Sequence, residues 1–323
     1  MANYYVDPAA TGAADGSSWT DAWTTLQTAA DTAVAGDTVY CRGTQTLAAA
    51  IDFDTNSGTD AAGYIKFIGC NASGENDGTY FVLDGNSTAA NAIVYSVAMV
   101  WLENIKIQNC TSHGINSSAF ADYWNLINVW CHSNGGYGLN SGNYARYWRM
   151  FRCAFTSNTT GGIYRLREGV LFACRFADQS YGLNDMSGGE IIGCVFNAHR
   201  YALRLTLAGD NVISNCVFHD NSIYGLYEGT SRSLIVGCRF SENNIGYDTP
   251  ATAGRGLVVG CYFGGNTTDL DGTRYDVAPI DGSTSHVVTG GTDTDDGYVS
   301  SATGDFNLDG DTASLFSEAI TIP

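Results

Sequence analysis

Short apolar runs of two or three residues recur through the middle of the chain: Val170-Leu171-Phe172, Ile191-Ile192, Val212-Ile213, Leu234-Ile235-Val236 and Leu257-Val258-Val259. A cysteine follows each run. Cysteines stand at Cys110, Cys131, Cys153, Cys174, Cys194, Cys216, Cys238 and Cys261, in steps of 20 to 23 residues. Phe155, Phe176, Phe196, Phe218, Phe240 and Phe263 lie two positions after the later six, and amides follow at Asn158, Gln179, Asn221, Asn243 and Asn266. A small-Leu or small-Ile pair completes the unit, as at Gly138-Leu139, Gly162-Ile163, Gly182-Leu183, Ala202-Leu203 and Gly225-Leu226. Strand alternation places Phe172, Cys174 and Phe176 on one side, and likewise Ile192, Cys194 and Phe196, or Val259, Cys261 and Phe263.

A unit this short, with no amphipathic run of ten residues, excludes an α-solenoid, and a propeller blade needs a period near 40. Two or three short strands per unit predict one turn of a parallel β-solenoid, with like residues stacked roughly 4.8 Å apart on successive coils. Cysteines in one inward column point in parallel, a poor geometry for disulfides or for tetrahedral metal binding, so they are expected to be reduced packing groups. Cys41 and Cys70 are expected in the same column, separated by longer coils.

Composition narrows the function. Acids number 33 against 15 bases, a net charge of -18 in 323 residues, which disfavours nucleic acid and anionic membranes as partners. The longest apolar stretch, Ala92 to Leu102, is too short to insert in a membrane. The start, Met1-Ala2-Asn3 and then Tyr4-Tyr5-Val6-Asp7-Pro8, has no leader pattern, so with its many thiols the chain is expected to fold in a reducing cytoplasm.

The repeat resembles the right-handed parallel β-helix of the pectate-lyase-like superfamily, which includes many phage tailspikes. The beginning is similar too: Tyr4-Tyr5-Val6-Asp7-Pro8, Asp15-Gly16, Trp23-Thr24-Thr25-Leu26-Gln27 and Gly36-Asp37-Thr38-Val39-Tyr40 match the segment in which a short helix caps the open end of the solenoid. Leu26, Ala29, Ala30, Ala33 and Val34 have helical spacing, with Gly36 as a stop. The expected fold is all-β: a single-stranded right-handed parallel β-helix with a short N-terminal capping helix. Residues 1–38 form the lead-in segment and capping helix, 39–268 the β-helix with coils of about 22 residues, and 269–323 an acidic C-terminal cap.

The residue after each small-Leu pair should face outward, giving one column of Asn140, Tyr164, Asn184, Arg204 and Tyr227. Flat rings and amides suit sugars, so these are the candidate ligand-binding residues. Residues 146 to 204 add eight arginines (Arg146, Arg149, Arg152, Arg165, Arg167, Arg175, Arg200 and Arg204), which either form a cationic belt or scatter over several faces. Hydrolysis would need two carboxylates about 5 to 9.5 Å apart. Asp185 and Glu228 hold matching places two coils apart, about 9 to 10 Å if they face outward; Glu168 is a third candidate catalytic residue. A lyase would need a basic residue among carboxylates, and Lys66 and Lys106, the sole lysines, lie in no acidic cluster. His113, His132, His199, His219 and His286 show no ligand spacing and read as surface or turn residues, and no cofactor signature occurs.

Residues 269–323 carry 11 acids and one base, Arg274. Asp269-Leu270-Asp271-Gly272, Asp293-Thr294-Asp295-Asp296-Gly297 and Asp309-Gly310-Asp311 are candidate calcium turns without a complete EF-hand loop. The function expected from these readings is a phage-type virion spike, fibre or surface appendage that recognises polysaccharide, with depolymerase activity left open. The competing classes are a polysaccharide lyase or glycoside hydrolase of that superfamily and a purely structural decoration or filament subunit. The expected partners are polysaccharide, further copies of the chain in a homo-oligomer such as a trimer, and other virion proteins. The expected location is the virion surface after synthesis in a host cytoplasm, or secretion.

Overall fold

The computed structural model describes residues 1–272 apart from 118, 143, 144, 231 and 250–255, with backbone alone over 269–272. It is a parallel β-helix whose coils each have three faces. Strands of the first face form an 11-stranded sheet running from Asn3–Val6 and Thr38–Arg42 to Leu257–Val259; those of the second and third faces join in an 18-stranded sheet. The latter two are joined because Arg175–Ser187 and Val195–Leu205 run on around the corner between them. Every named strand pairing is parallel, as from Leu171 to Ile191 to Ile213.

Single left-handed residues make the corners. Asn128, Arg152, Ala173 and Asn215 turn the chain from the first face to the second with φ of 50° to 53°, and Gly193 and Gly237 do so at 61° and 60°. Their amides still bond the next coil, as Arg152 N to Phe172 O at 3.0 Å and Ala173 N to Ile192 O at 2.9 Å, so the backbone ladder is unbroken. Such a residue reverses the alternation. Phe172 therefore points outward, 44% exposed, while Cys174 and Phe176 point inward. Ile192 and Val259 likewise face away from their cysteines, and Leu171, Ile191, Ile213, Ile235 and Val258 fill the core instead.

Inside, the expected ladders form. Phe155, Phe176, Phe196, Phe218, Phe240 and Phe263 stack with ring centroids 4.6 to 5.3 Å apart and interplanar angles of 2° to 11°. Each buried ring contributes roughly 1.5–3 kcal/mol. The small residue of each small-Leu pair lies against this stack: a Cβ on Gly162 would meet the Phe176 ring at 2.7 Å, and one on Gly182 the Phe196 ring at 2.8 Å.

The cysteines occupy more than one column. Cys153, Cys174, Cys194, Cys216, Cys238 and Cys261 share the corner after the first face, each thiol directed at a first-face carbonyl one coil back, as Cys153 to Leu126 O at 3.3 Å and Cys216 to Ile191 O at 3.5 Å. Cys131 instead pairs with Phe155 and belongs to the ring ladder. The backbone N–H of Cys110 donates to Asn134 Oδ1 at 3.1 Å, so Cys110 lies one coil before the first member of the amide ladder. Cys41 and Cys70 lie at the first face, paired with Gly69 and Arg42. The near-constant spacing of the cysteines hides these differences of register. All ten cysteines are free, nine of them buried, and burial pushes the thiols of Cys41, Cys131 and Cys174 up.

The amide ladder runs from Asn134 to Asn158 (2.9 Å), Asn158 to Gln179 (3.2 Å), then Asn221 to Asn243 (2.7 Å) and Asn243 to Asn266 (2.8 Å). Its one foreign member is His199, 2% exposed, whose backbone amide bonds Asn221 and whose Nδ1 lies 3.1 Å from Gln179 O. His199 is therefore a buried ladder residue rather than a surface one, and burial holds its imidazole down to about 4.

At the N-terminal end, the helix α1 (Leu26–Thr32) starts at Thr25, whose hydroxyl accepts from Thr28 N at 3.3 Å. Leu26, Ala29, Ala30 and Ala33 are buried against the first coil, but Val34 lies past the helix end and is 52% exposed. The expected C-terminal cap and the calcium turns beyond residue 272 lie outside the described residues.

Candidate functional site

The third face carries the predicted outward column in one register. Asn140 pairs with Tyr164, Tyr164 with Asn184, Asn184 with Arg204 and Arg204 with Tyr227; the column continues to Asp248. Successive members are one strand spacing apart, about 4.8 Å. They also bond one another: Arg204 donates to Asn184 Oδ1 at 3.1 Å, and Asn140 to Asn116 Oδ1 at 2.9 Å. Asn184 and Asp248 are buried and the others half-buried, so the column is the floor of a wall.

A second column beside it went unread in the sequence. Tyr137, Tyr181, Tyr201 and Tyr224 stand three positions earlier on their coils, with Gly161 in the gap. Tyr181 and Tyr201 stack at 5.1 Å and 10°, and Tyr201 lies 5.5 Å from Tyr224. Tyr137 leans across Gly161, where a Cβ would meet its ring at 2.7 Å, to stack on Tyr164 at 5.2 Å. Its hydroxyl accepts from Asn184 Nδ2 at 3.1 Å, two coils on. Partial burial pushes the Tyr137 and Tyr224 phenols up. The signal was in the chain as Tyr-Gly-Leu at 137, 181 and 224 and Tyr-Ala-Leu at 201.

Three of the eight arginines gather here. Arg165 lies over Tyr164 at 4.9 Å, Arg200 over Tyr201 at 5.3 Å, and Arg204 is in the floor. The rest scatter: Arg149 is on the first face, Arg152 at a corner and Arg175 on the second face, so no continuous belt forms.

The carboxylates do not join the wall. Asp185 is 3% exposed with φ of 75°, and its Oδ1 accepts from Thr206 N at 2.6 Å and Thr206 Oγ1 at 2.5 Å. Glu228 is 0% exposed, pairs in register with the core residue Leu205, and accepts from the Tyr247 hydroxyl at 2.5 Å. Burial pushes its carboxyl up, against the lowering hydrogen bonds of Tyr247 and Ser233. The expected outward placement of both is thus corrected. Matching places after a small-Leu pair are not structurally equivalent, because Asp185 is a left-handed residue and Glu228 an extended, inward one. Glu168 is exposed at a further corner, beside the Tyr147 hydroxyl, whose ionisation it pushes up. Among the described residues, no three His, Cys, Asp or Glu side chains converge as a metal site, and no helix is long and apolar enough to cross a membrane.

A coil of three parallel faces, laddered rings and amides and a polar aromatic wall is the architecture of the right-handed parallel β-helices, and the chain has that pectate-lyase-like fold. Residues 140–269 match the family described as right handed beta helix region. Among solved structures, the chain is similar to pectate lyase Pel9A, with TM-score 0.65 and 14% identity over 89% of this chain and 82% of that one. It is also similar to an alginate lyase from Paenibacillus sp. str. FPU-7, with TM-score 0.64 and 14% identity over 85% and 99%. The A-module of Azotobacter vinelandii mannuronan C-5 epimerase AlgE4 follows with TM-score 0.52 and 12% identity over 76% and 88%. At these identities the likeness is one of fold. No curated protein matches the chain in sequence.

Proposed function

We propose that the protein binds polysaccharide along its third face, as a spike, fibre or surface appendage of a phage-type virion. The observation that carries this reading is the double column itself: tyrosine rings on successive coils beside Asn140, Asn184 and Arg204. Half-buried rings offer flat apolar faces to sugar rings, while the adjoining amides and guanidinium match hydroxyls. The similar structures named for acting on pectate and alginate support a sugar polymer as the ligand class. Ten free cysteines in a chain with so polar a wall support folding in a reducing host cytoplasm before release on a virion. The burial of Asp185 and Glu228 favours recognition over hydrolysis.

A panel of capsular and cell-wall polysaccharides, scored for both retention and chain shortening, tests the reading. Retention without shortening is expected. Tyr181→Ala and Tyr201→Ala each weaken it about three- to tenfold, the worth of one aromatic stack. No retention anywhere in a broad panel, or full retention by the double variant with an unchanged circular dichroism spectrum, overturns it. Shortening that Glu168→Gln abolishes would make the wall part of a depolymerase.

A further inference from the structure

The outer surface of the first face differs from the wall. Its strands present two outward columns. One runs Asn125, itself buried, then Arg149, Val170, Glu190, Val212, Leu234 and Leu257; the other runs Ile127, Phe151, Phe172, Ile192, Ser214, Val236 and Val259. On every rung at least one of the two is apolar. Phe172, Val212 and Leu234 are 44%, 37% and 38% exposed, and no described element covers them. The residues between them, Leu171, Ile213 and Ile235, are fully buried on the inside. Strands apolar on both sides are those of sheets covered on both sides, whereas a sheet with one face in water alternates apolar and polar. A flat apolar strip of this length marks an interaction surface.

The charges on the strip indicate what covers it. Arg149 and Glu190 are both exposed, and neither has an ion-pair partner among the described residues. They flank Val170 in one column, one rung to either side. We propose that the first face is a self-association surface on which two copies of this chain pack face to face and antiparallel, about a two-fold axis along the strand of Val170 and Phe172. An isologous contact sets residue i against j and j against i. Here it sets Arg149 of each copy against Glu190 of the other, Phe151 against Ile192, and Leu234 against Trp101, which lies in the same column two rungs before Arg149. A parallel pairing would instead bring like charges to the same level.

With rungs about 4.8 Å apart and strands about 10 Å long, the seven rungs from Trp101 to Leu234 bury on the order of 700 Å² in all, the size of a weak, transient contact. The dimer should therefore form in the micromolar range. It leaves both third faces open, so one particle would carry two binding walls and gain avidity for a repetitive polymer. Antiparallel rods share no base end, which suits a subunit lying along a surface. The proposal does not depend on the polysaccharide reading.

Sedimentation velocity of the full chain from about 1 to about 200 µM tests it. A monomer–dimer equilibrium is expected. Phe172→Glu weakens it at least tenfold, as do Arg149→Glu and Glu190→Arg singly, each placing like charges together twice. The double exchange Arg149→Glu with Glu190→Arg restores the dimer, and all four proteins keep the parent circular dichroism spectrum. A monomer at every concentration overturns the proposal and leaves the strip to residues 273–323 or another partner. A dimer indifferent to Phe172→Glu, or one that the double exchange fails to restore, overturns it equally. A dimer that retains no glycan would refute the polysaccharide reading and leave this one standing.

Discussion

His199 interrupts a ladder that is otherwise made of amides, and its chemistry differs from theirs in one respect: it titrates. Burial holds its imidazole down to about 4, against an ordinary value of 6.5. The folded state thus takes up its proton later than the unfolded chain. The neutral side chain is tolerated in full above about pH 6.5, and stability declines as the pH falls from there toward 4, by up to about 3 kcal/mol. His199→Asn supplies the residue type that Asn221 and Asn243 use in the same ladder and takes up no proton. The difference in unfolding free energy between parent and variant should therefore shift in the variant's favour between pH 7 and pH 4. A difference that stays constant with pH would show that His199 does not remain neutral in the ladder. Glu228 is the acidic counterpart, a carboxyl pushed up by burial and held by Tyr247.

At the level of elements, each strand is three to six residues long on most coils, too short to be stable alone. What makes it persist is the column. The six-cysteine column does two things: the small apolar thiols fill the corner beneath the left-handed turn, and each weakly bonds a carbonyl of the coil before. Val129 and Ile105 occupy the same corner place on earlier coils, immediately after the left-handed Asn128 and Asn104, so apolar packing rather than redox chemistry sets the requirement. A thiol reagent should accordingly label Cys261, the one partly exposed cysteine, first, and reach Cys174, Cys194 and Cys216 only at the rate of unfolding. Rapid labelling of that inner set in native buffer would contradict a dry column.

At the scale of the molecule, the described residues form a rod with two dissimilar walls, an aromatic polar one on the third face and an apolar one on the first. Its net charge of -18 opposes the compact state by self-repulsion. Raising sodium chloride from about 0.05 to about 0.5 M should screen the repulsion and raise the melting temperature by about 2–4 °C, a shift that scanning calorimetry resolves. A flat or falling melting temperature would mean that the acidic groups are locally compensated.

Much of this rod is legible in the sequence. A solenoid converts sequence period directly into spatial stacking, so the Phe ladder, the amide ladder and the outward run from Asn140 to Tyr227 could be read as residues recurring at one coil length. The sequence also determined the helix that begins at Leu26, through its apolar spacing. The tertiary structure alone decided on which side of the sheet a residue lies once the chain has passed a corner. One left-handed residue reverses the alternation, and that place is filled by Asn128, Arg152, Ala173 or Gly193, side chains with no common signature. For that reason Phe172 came out rather than in, and Asp185, itself left-handed, left the surface; Cys131 joined the rings because it lies three residues past its corner rather than one. The tyrosine column was written in the chain as a repeated tripeptide. Its position beside the amide and arginine floor follows from the turn between the second and third faces, which no residue spacing records.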